Sequence, residues 1–402
     1  MKQEMLSKQP KVSIIIPVYN GSNYLKEAID SALAQTYPNC EVLVVNDGSC
    51  DEGKTETIAL SYGDRIRYFK KENGGVASAL NMGIRQMTGE YFSWLSHDDV
   101  YYPNKVEREV QAIIESGDPT KLVQCEYDFY DEATGTYTPT DFSKTYTIGR
   151  LTNSVFSVLQ LQIHACCALI HKSHFDRVGM FDEGLRTVQD IEMWFRLFRG
   201  QKSLFVPERL YKVREHAEAG NHTIPSYYPE TCRLYENLIG QLSDQEIISI
   251  WGSTFCFYTR MNGFLRSYGL EDKEIESHVL AKEKSETDIK NESYLKQIFQ
   301  SKKIYIFGAG QYGMRVLYEL KMRGIQVDGF LDNNPQREGQ GIQGVSCYMP
   351  EKELESNGDA VVIVAVRNCK TILSQLDKLH VADVFLKSDI EKIMYEEEIT
   401  NV

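Results

Sequence analysis

Four places in this 402-residue chain carry residue types that do chemistry at useful spacing. The first is Asp98-Asp99, two acids directly after the apolar stretch Tyr91 to Leu95. Adjacent carboxylates can hold a hard divalent cation such as Mg²⁺ or Mn²⁺; a turn, or a cap for the helix after Pro103, is the plainer alternative. The second is Asp190, at the start of a helical stretch, where the helix dipole favours an anion. A carboxylate there can act as a general base or simply as an N-cap. The third is the pair Arg214 and His216. The fourth is Gly308-x-Gly310-x-x-Gly313 after an apolar run, with Asp332 about twenty residues later, the arrangement in which helix N-terminal amides face phosphates.

The elements that position these groups are legible in the hydrophobic pattern. Val12 to Ile16 is a β-branched apolar run, expected for a buried parallel strand. Leu25, Ala28, Ile29, Ala32 and Leu33 share a helical face. Strands are predicted at Glu41–Val45, Arg65–Phe69 and Tyr91–Leu95, and a helix at Val76–Met87. This alternation predicts an open α/β sheet, with ligands beyond the carboxyl ends of the strands. Asn46-Asp47-Gly48-Ser49 and Ser96-His97-Asp98-Asp99 both fall at that edge. Further on, Ala165–Ile170 reads as a strand and Asp190–Arg199 as a helix, with Trp194 in its core face. Residues 226–300 read as helical, with a charged middle. Trp251, Phe255, Phe257 and Tyr258 in that stretch pack domains together or form a homo-oligomer interface. A second α/β unit starts at Lys302, with a helix at Met314–Arg323 and strands at Gln326–Leu331, Ala360–Val366 and Ala382–Leu386.

Composition narrows the function. The net charge is −13, which argues against nucleic acid or an anionic membrane as a general partner. The nine cysteines show no C-x-x-C. Their odd count and scatter fit a reducing cytoplasm and argue against a structural zinc site. No run of 18 apolar residues or cleavable leader is seen, so the expectation is a cytoplasmic protein, with docking at the inner face of the cell membrane left open.

Six segments in order, VSIIIPVYN, VVNDGS, ENGGVASALNMGI, GEYFSWLSHDD, GMFDEGLRTVQDIEMWFRL and REH, resemble glycosyltransferase family 2 over about 205 residues. The resemblance implies a GT-A fold and an inverting transfer from a nucleotide-sugar, with UDP-sugar as the expected donor class. It implies that Pro17, Val18, Tyr19, Asn20 and Asp47 cradle the nucleobase, and that Gly74-Gly75 passes close to the donor. Asn81, Asp98 and Arg214 are donor contacts. Asp99 and His216 are ligands of Mn²⁺ or Mg²⁺, and Asp190 is the base. His164 is expected to line the sugar or acceptor pocket. Relatives commonly read D-x-D-D where this chain has Ser96-His97-Asp98-Asp99, so the first acid is missing. The implied acceptor is a hydroxyl of a surface glycan, lipid-linked glycan or glycoprotein. A non-catalytic donor-binding or scaffold partner is the rival reading. The C-terminal unit resembles Rossmann-like domains of sugar-modifying enzymes, with Gly308, Gly310, Gly313 and Asp332 facing a nucleotide. A nicotinamide-dependent reaction there is a further rival. The predicted layout is α/β: a GT-A domain at 1–225, a helical connector at 226–300 and a small Rossmann-like domain at 301–402.

Overall fold

The computed structural model describes residues 9–268, 284–300 and 302–395. Two compact units divide the chain, Met1–Leu234 and Tyr235–Val402.

The first unit opens with strands β1 (Val12–Val18), β2 (Cys40–Asn46), β3 (Arg67–Lys70) and β4 (Tyr91–Trp94). Helices α1 (Leu25–Leu33), α2 (Lys54–Leu60) and α3 (Val76–Gln86) alternate with them. Every residue of β1 is buried, which is why its sequence is continuously apolar and not alternating. β1 pairs in parallel with β2 on one side and β4 on the other, and β2 pairs with β3. Helix α1 buries Leu25, Ala28, Ile29 and Ala32 of the predicted face, while Leu33 at its end is half-buried.

The second half of the unit adds β5 (Val100–Tyr101), α4 (Lys105–Ser116), β6 (Val123–Asp131), β7 (Thr136–Pro139), β8 (Ala168–His171), α5 (Gln189–Phe198) and β9 (Leu204–Glu215). The strands form one sheet in the order β3-β2-β1-β4-β8-β6-β9-β5, with β7 hairpinned onto β6. β8 runs antiparallel to β4 and β6, while β9 is parallel to β6. The strand expected over Ala165–Ile170 is shorter: Ala165–Cys167 is a 3₁₀ turn and pairing begins at Ala168. Trp194 is fully buried and meets Trp94 at 6.4 Å between ring centroids, so α5 packs on the end of β4.

In the second unit, α6 (Tyr227–Gly240) crosses the boundary, followed by α7 (Asp244–Trp251), α8 (Thr254–Ser267) and α9 (Glu286–Phe299). The charged stretch read as helical at 269–283 lies outside the described residues. Then come β10 (Ile304–Phe307), α10 (Gln311–Met322), β11 (Gly329–Leu331), β12 (Gly341–Ile342), β13 (Val345–Tyr348), α11 (Pro350–Ser356), β14 (Val361–Val364), α12 (Lys370–Lys378), β15 (Asp383–Leu386) and α13 (Lys387–Tyr395). The sheet order is β12-β13-β11-β10-β14-β15, parallel except for β12. Cys256 of α8 and Leu295 and Phe299 of α9 share one core with Ile306, Leu320, Phe330 and Met394. The helices read as a connector are therefore part of this unit's core. Among the described residues no helix is long and apolar enough to cross a membrane.

Glu41 fastens the edge of the first sheet opposite the acidic turns. Its carboxylate accepts from Ser13 Oγ (2.6 Å), Thr88 N (2.6 Å) and Arg67 Nη1 (3.0 Å). Burial opposes its ionisation, but these donors outweigh burial and hold the carboxyl down at about 2. Because the folded value lies below the usual 4.5, this stabilisation is present above pH 4.5 and is lost as pH falls toward 2. We expect Glu41→Gln to lower stability at neutral pH and to flatten the acid limb of the stability curve in that window. Urea unfolding at stepped pH measures this; an unchanged acid limb would refute the assignment.

Candidate functional site

The carboxyl ends of β1, β2 and β4 place the predicted groups along one edge. Asp47 follows β2, and its amide donates to Val18 O at 2.8 Å, tying the turn after β1 to the turn after β2. Asn20 adopts a left-handed φ of 49°, which asparagine tolerates better than most residues. Its Oδ1 accepts from Cys50 N at 2.8 Å, and its own amide donates to Ser49 Oγ at 2.9 Å. Pro17 and Val18 close β1, and Tyr19 is 45 % exposed, with its hydroxyl 3.4 Å from Cys50 Sγ.

Asp47 itself is buried. Its carboxylate accepts from Gly74 N (3.0 Å), Gly75 N (2.7 Å) and Lys71 Nζ (2.7 Å). The side chain expected to face a base thus holds the Gly74-Gly75 turn and a lysine. Asn81 is also turned inward: its Nδ2 donates to Phe181 O (2.9 Å) and its Oδ1 accepts from Phe181 N (2.9 Å). It anchors the loop that leads to α5. A second anchor for that loop is Glu230, which accepts from Thr187 N at 2.7 Å and Arg186 N at 3.2 Å.

The acidic turn after β4 gathers the most functional groups. Asp98 Oδ2 meets His216 Nε2 at 3.1 Å. Burial opposes its charge, but the His216 hydrogen bond and nearby His97 prevail and hold Asp98 down at about 2. His216 is raised in turn, chiefly by the hydrogen bond it donates to Asp98. Asp99 goes the other way. Burial and the adjacent Asp98 push it well above the carboxylate range, although Arg214 N donates to its Oδ1 at 3.0 Å. Cys166 Sγ lies 3.3 Å from Asp99 Oδ2. His164 stands beside Tyr127 and Tyr211, and burial pushes it down to about 4.

Arg214 does not reach outward. Its Nε donates to Asp98 O at 3.0 Å, Nη1 pairs with Glu132 at 3.2 Å, and Nη2 pairs with Glu27. Tyr24 stacks beneath it at 4.5 Å. Neither Asp98 nor Asp99 caps a helix: α4 starts after Asn104.

Asp190 sits in the first turn of α5, and Val188 occupies the N-cap, so the capping alternative does not apply. Its carboxylate has no side-chain partner among the described residues, and burial pushes it up to about 6. The neighbouring Glu192 is engaged by Arg196 at 2.5 and 2.6 Å.

The structure thus brings together Asp98, Asp99, His164, Arg214 and His216, and separately Asn20 and Asp47 with the turns after β1 and β2. Gly308, Gly310, Gly313 and Asp332 come together at a turn in the other unit. Sequence reasoning missed Lys71, Glu27, Glu132, Glu230 and the proximity of Cys166 to Asp99. Lys71 directly precedes the Glu-Asn-Gly-Gly turn and was findable. Glu27 and Arg214 lie 187 residues apart, and no local signal links them.

That glycine turn joins β10 to α10. Gly308 has φ 103°, and a Cβ there would come 2.5 Å from Val366. A Cβ at Gly313 would collide with the Gly308 carbonyl, so this glycine serves helix–strand packing. At Gly310 a Cβ would meet nothing within 4 Å. These turns open on a cleft of about 340 Å³ lined by Tyr312, Asp332, Asn334, Arg337 and Arg367 among others. Asp332 accepts from Ala309 N (3.1 Å) and Arg337 Nη1 (3.1 Å).

Comparison with known proteins agrees with this architecture. Residues 13–179 match the model of glycosyl transferase family 2, and residues 303–379 match the PglD N-terminal domain. An uncharacterised glycosyltransferase of Rickettsia prowazekii is 46 % identical over 276 residues, covering 67 % of this chain and 86 % of the relative. Another of Rickettsia bellii is 47 % identical over 268 residues, 66 % of this chain, but the match spans only 39 % of that longer protein. Staphylococcus aureus TarS 1-349, solved in complex with UDP-GlcNAc, aligns with a TM-score of 0.51 at 16 % identity, over 78 % of this chain and 92 % of that one. The first unit has the GT-A fold. The chain belongs to glycosyltransferase family 2.

Asp47 offers a direct test of the site's framework. Asp47→Ala removes the acceptor of two half-buried amides and one of the two acceptors of half-buried Lys71. At about 1–3 kcal/mol per orphaned donor, we expect a clear loss of stability in urea unfolding together with faster proteolysis near Gly74-Gly75. Wild-type stability in this variant would refute the tethering role.

Proposed function

We propose that the first unit is an inverting glycosyltransferase that moves a sugar from a UDP-sugar to a hydroxyl of a surface-glycan, lipid-linked glycan or glycoprotein acceptor, with Asp190 as base. The observation that carries this reading is the half-buried Asp190 carboxylate, without a side-chain partner among the described residues and pushed up to about 6. A base works best when its pKa lies near the working pH. Here the carboxylate is ionised at neutral pH yet basic enough to accept the acceptor's proton on an oxygen atom. The transferred sugar leaves its diphosphate on the opposite face.

Support for a nucleotide-sugar donor comes from family membership and, at the level of fold, from TarS, whose structure holds UDP-GlcNAc. The exposed Tyr19 ring and the Asn20 turn suit a nucleobase. Arg186 Nη1 approaches Gly75 and could meet a phosphate beside Lys71. For a divalent ion, Mn²⁺ or Mg²⁺, Asp99 with Asp98, His216 and His164 supplies an oxygen and nitrogen donor set. When bound, the ion stabilises the charge that grows on the leaving diphosphate.

The rival is a donor-binding partner without catalysis, favoured by Ser96 in place of an acid and by Asp47 being engaged within the chain. A panel of UDP-sugars, read by UDP release with and without Mn²⁺, separates the two. We expect metal-stimulated release that falls about 10²–10⁴-fold in Asp190→Asn, and a wild-type rate that drops as pH falls below about 6. Donor binding with no release in wild type, even with a glycan acceptor library, would favour the rival.

For the second unit we propose a nucleotide site at Gly308, Gly310, Gly313 and Asp332, supported by the open backbone at Gly310 and by Arg337 and Arg367 on the cleft. Gly310 begins α10 with a φ any residue adopts, so Gly310→Asp folds normally but sets a negative charge against the phosphates. Calorimetric titration with UDP, UDP-sugars and NAD should show one binding event lost in this variant while UDP release by the first unit persists. Unaltered titrations would refute the site.

A further inference from the structure

We propose that Asp99, His164 and Cys166 form a mixed carboxylate, imidazole and thiolate site that selects a first-row transition-metal cation over magnesium. This deepens the metal-assisted reading of the first unit and rests on it for its catalytic meaning only.

The geometry comes from strand register. β4 and β8 are antiparallel, with Phe92 opposite Ile170 and Ser93 opposite Leu169. Continuing that register sets Ser96 opposite Cys166, and the contact is made: Ser96 N donates to Cys166 Sγ at 3.2 Å and the Ser96 hydroxyl lies at 3.5 Å. The thiol thus lies beside both the Ser96 hydroxyl and the Asp99 carboxylate. The ligand atoms offered by Asp99, His164 and Cys166 all lie within 4.8 Å of one another. Cys166 Sγ is 3.3 Å from Asp99 Oδ2; sulfur and oxygen bound to one tetrahedral zinc-sized ion are separated by about 3.6 Å, a few tenths of an ångström more. The other Asp99 oxygen is fixed by Arg214 N, which leaves Oδ2 for the site. His164 Nδ1 is buried with no hydrogen-bond partner among the described residues, an orphan polar atom in a ring packed against both Tyr127 and Tyr211. Cys166 is fully buried and Asp99 nearly so.

The donor set decides the ion. Magnesium prefers six oxygens and gains little from sulfur, whereas Co²⁺ and Zn²⁺ bind imidazole and thiolate well, and Mn²⁺ binds them more weakly. Coordination breaks the S–H bond of Cys166 and forms a sulfur–metal bond, and the proton leaves to solvent.

The test is a titration of the full chain with Co²⁺ alone and in competition with Mg²⁺, followed by near-ultraviolet absorption. A thiolate-to-cobalt charge-transfer band that saturates, resists excess Mg²⁺ and disappears in Cys166→Ser is the expected result. His164→Gln should weaken Co²⁺ binding while leaving the thermal unfolding profile close to wild type. Co²⁺ bound without the band, no saturable binding, or ready displacement by Mg²⁺ would each overturn the proposal, and these readings need only the wild-type chain. UDP release measured in parallel keeps the two ideas apart. Turnover without a cobalt band sinks the mixed site alone, and a band without turnover upholds the site while removing the catalytic reading.

Discussion

The buried guanidinium of Arg214 is the constraint on which the carboxyl edge of the first sheet depends. Its side chain is only 6 % exposed. A buried cation left unpaired costs several kcal/mol, so its partners must be assembled wherever it lies. They come from three distant segments: Glu27 of α1, Glu132 beyond β6, and the Asp98 carbonyl after β4. Its backbone amide fixes Asp99 as well. Lys212, two residues earlier on β9, reaches the same Glu27 at 3.0 Å. One strand thereby locks the acidic turn, the first helix and the sheet's last long pairing into a single arrangement.

That arrangement gives neighbouring acids different characters. Asp98 has a hydrogen-bonded histidine and stays ionised, whereas Asp99 is deeper, faces Asp98 and is pushed toward its neutral form. Asp190 is raised for a third reason, burial at the start of α5 without a partner side chain. Environments that drive the pKa values of nearby acids apart are how a site divides roles among identical groups. The division is a product of depth and of charged neighbours, not of residue type.

The glycine turn of the second unit shows a similar division. Gly313 is required because the helix packs against the Gly308 carbonyl, while Gly310 faces open space. Only the latter leaves room for a side chain. The helices ahead of the turn are part of its fold: a Cβ added at Gly263 of α8 would stand 3.4 Å from the Arg315 carbonyl oxygen on α10, and Arg315 lies 4.6 Å above the Phe264 ring. A single core holds both.

Sequence by itself determined the alternation of strands and helices in both units, the edge on which the functional turns lie, and the family. These rest on local patterns: apolar runs with a fixed period, and short motifs whose geometry is set within a few residues. It placed Asp98, Asp99 and His216 together through motif order alone. Only the tertiary structure decided what each side chain faces. Asp47 and Asn81 turned out to brace loops, because the Gly74-Gly75 amides and the Phe181 backbone lie within their reach. Arg214 turned inward because acids from α1 and the β6–β7 turn meet it there. The helices after Tyr235, which read as a connector, joined a core because their apolar faces meet β10, β11 and α10. Cys166 came to face Ser96 and Asp99 through the register of two antiparallel strands more than seventy residues apart in the chain. Such contacts depend on long-range pairing and burial, and a period of two or of 3.6 residues carries no record of them.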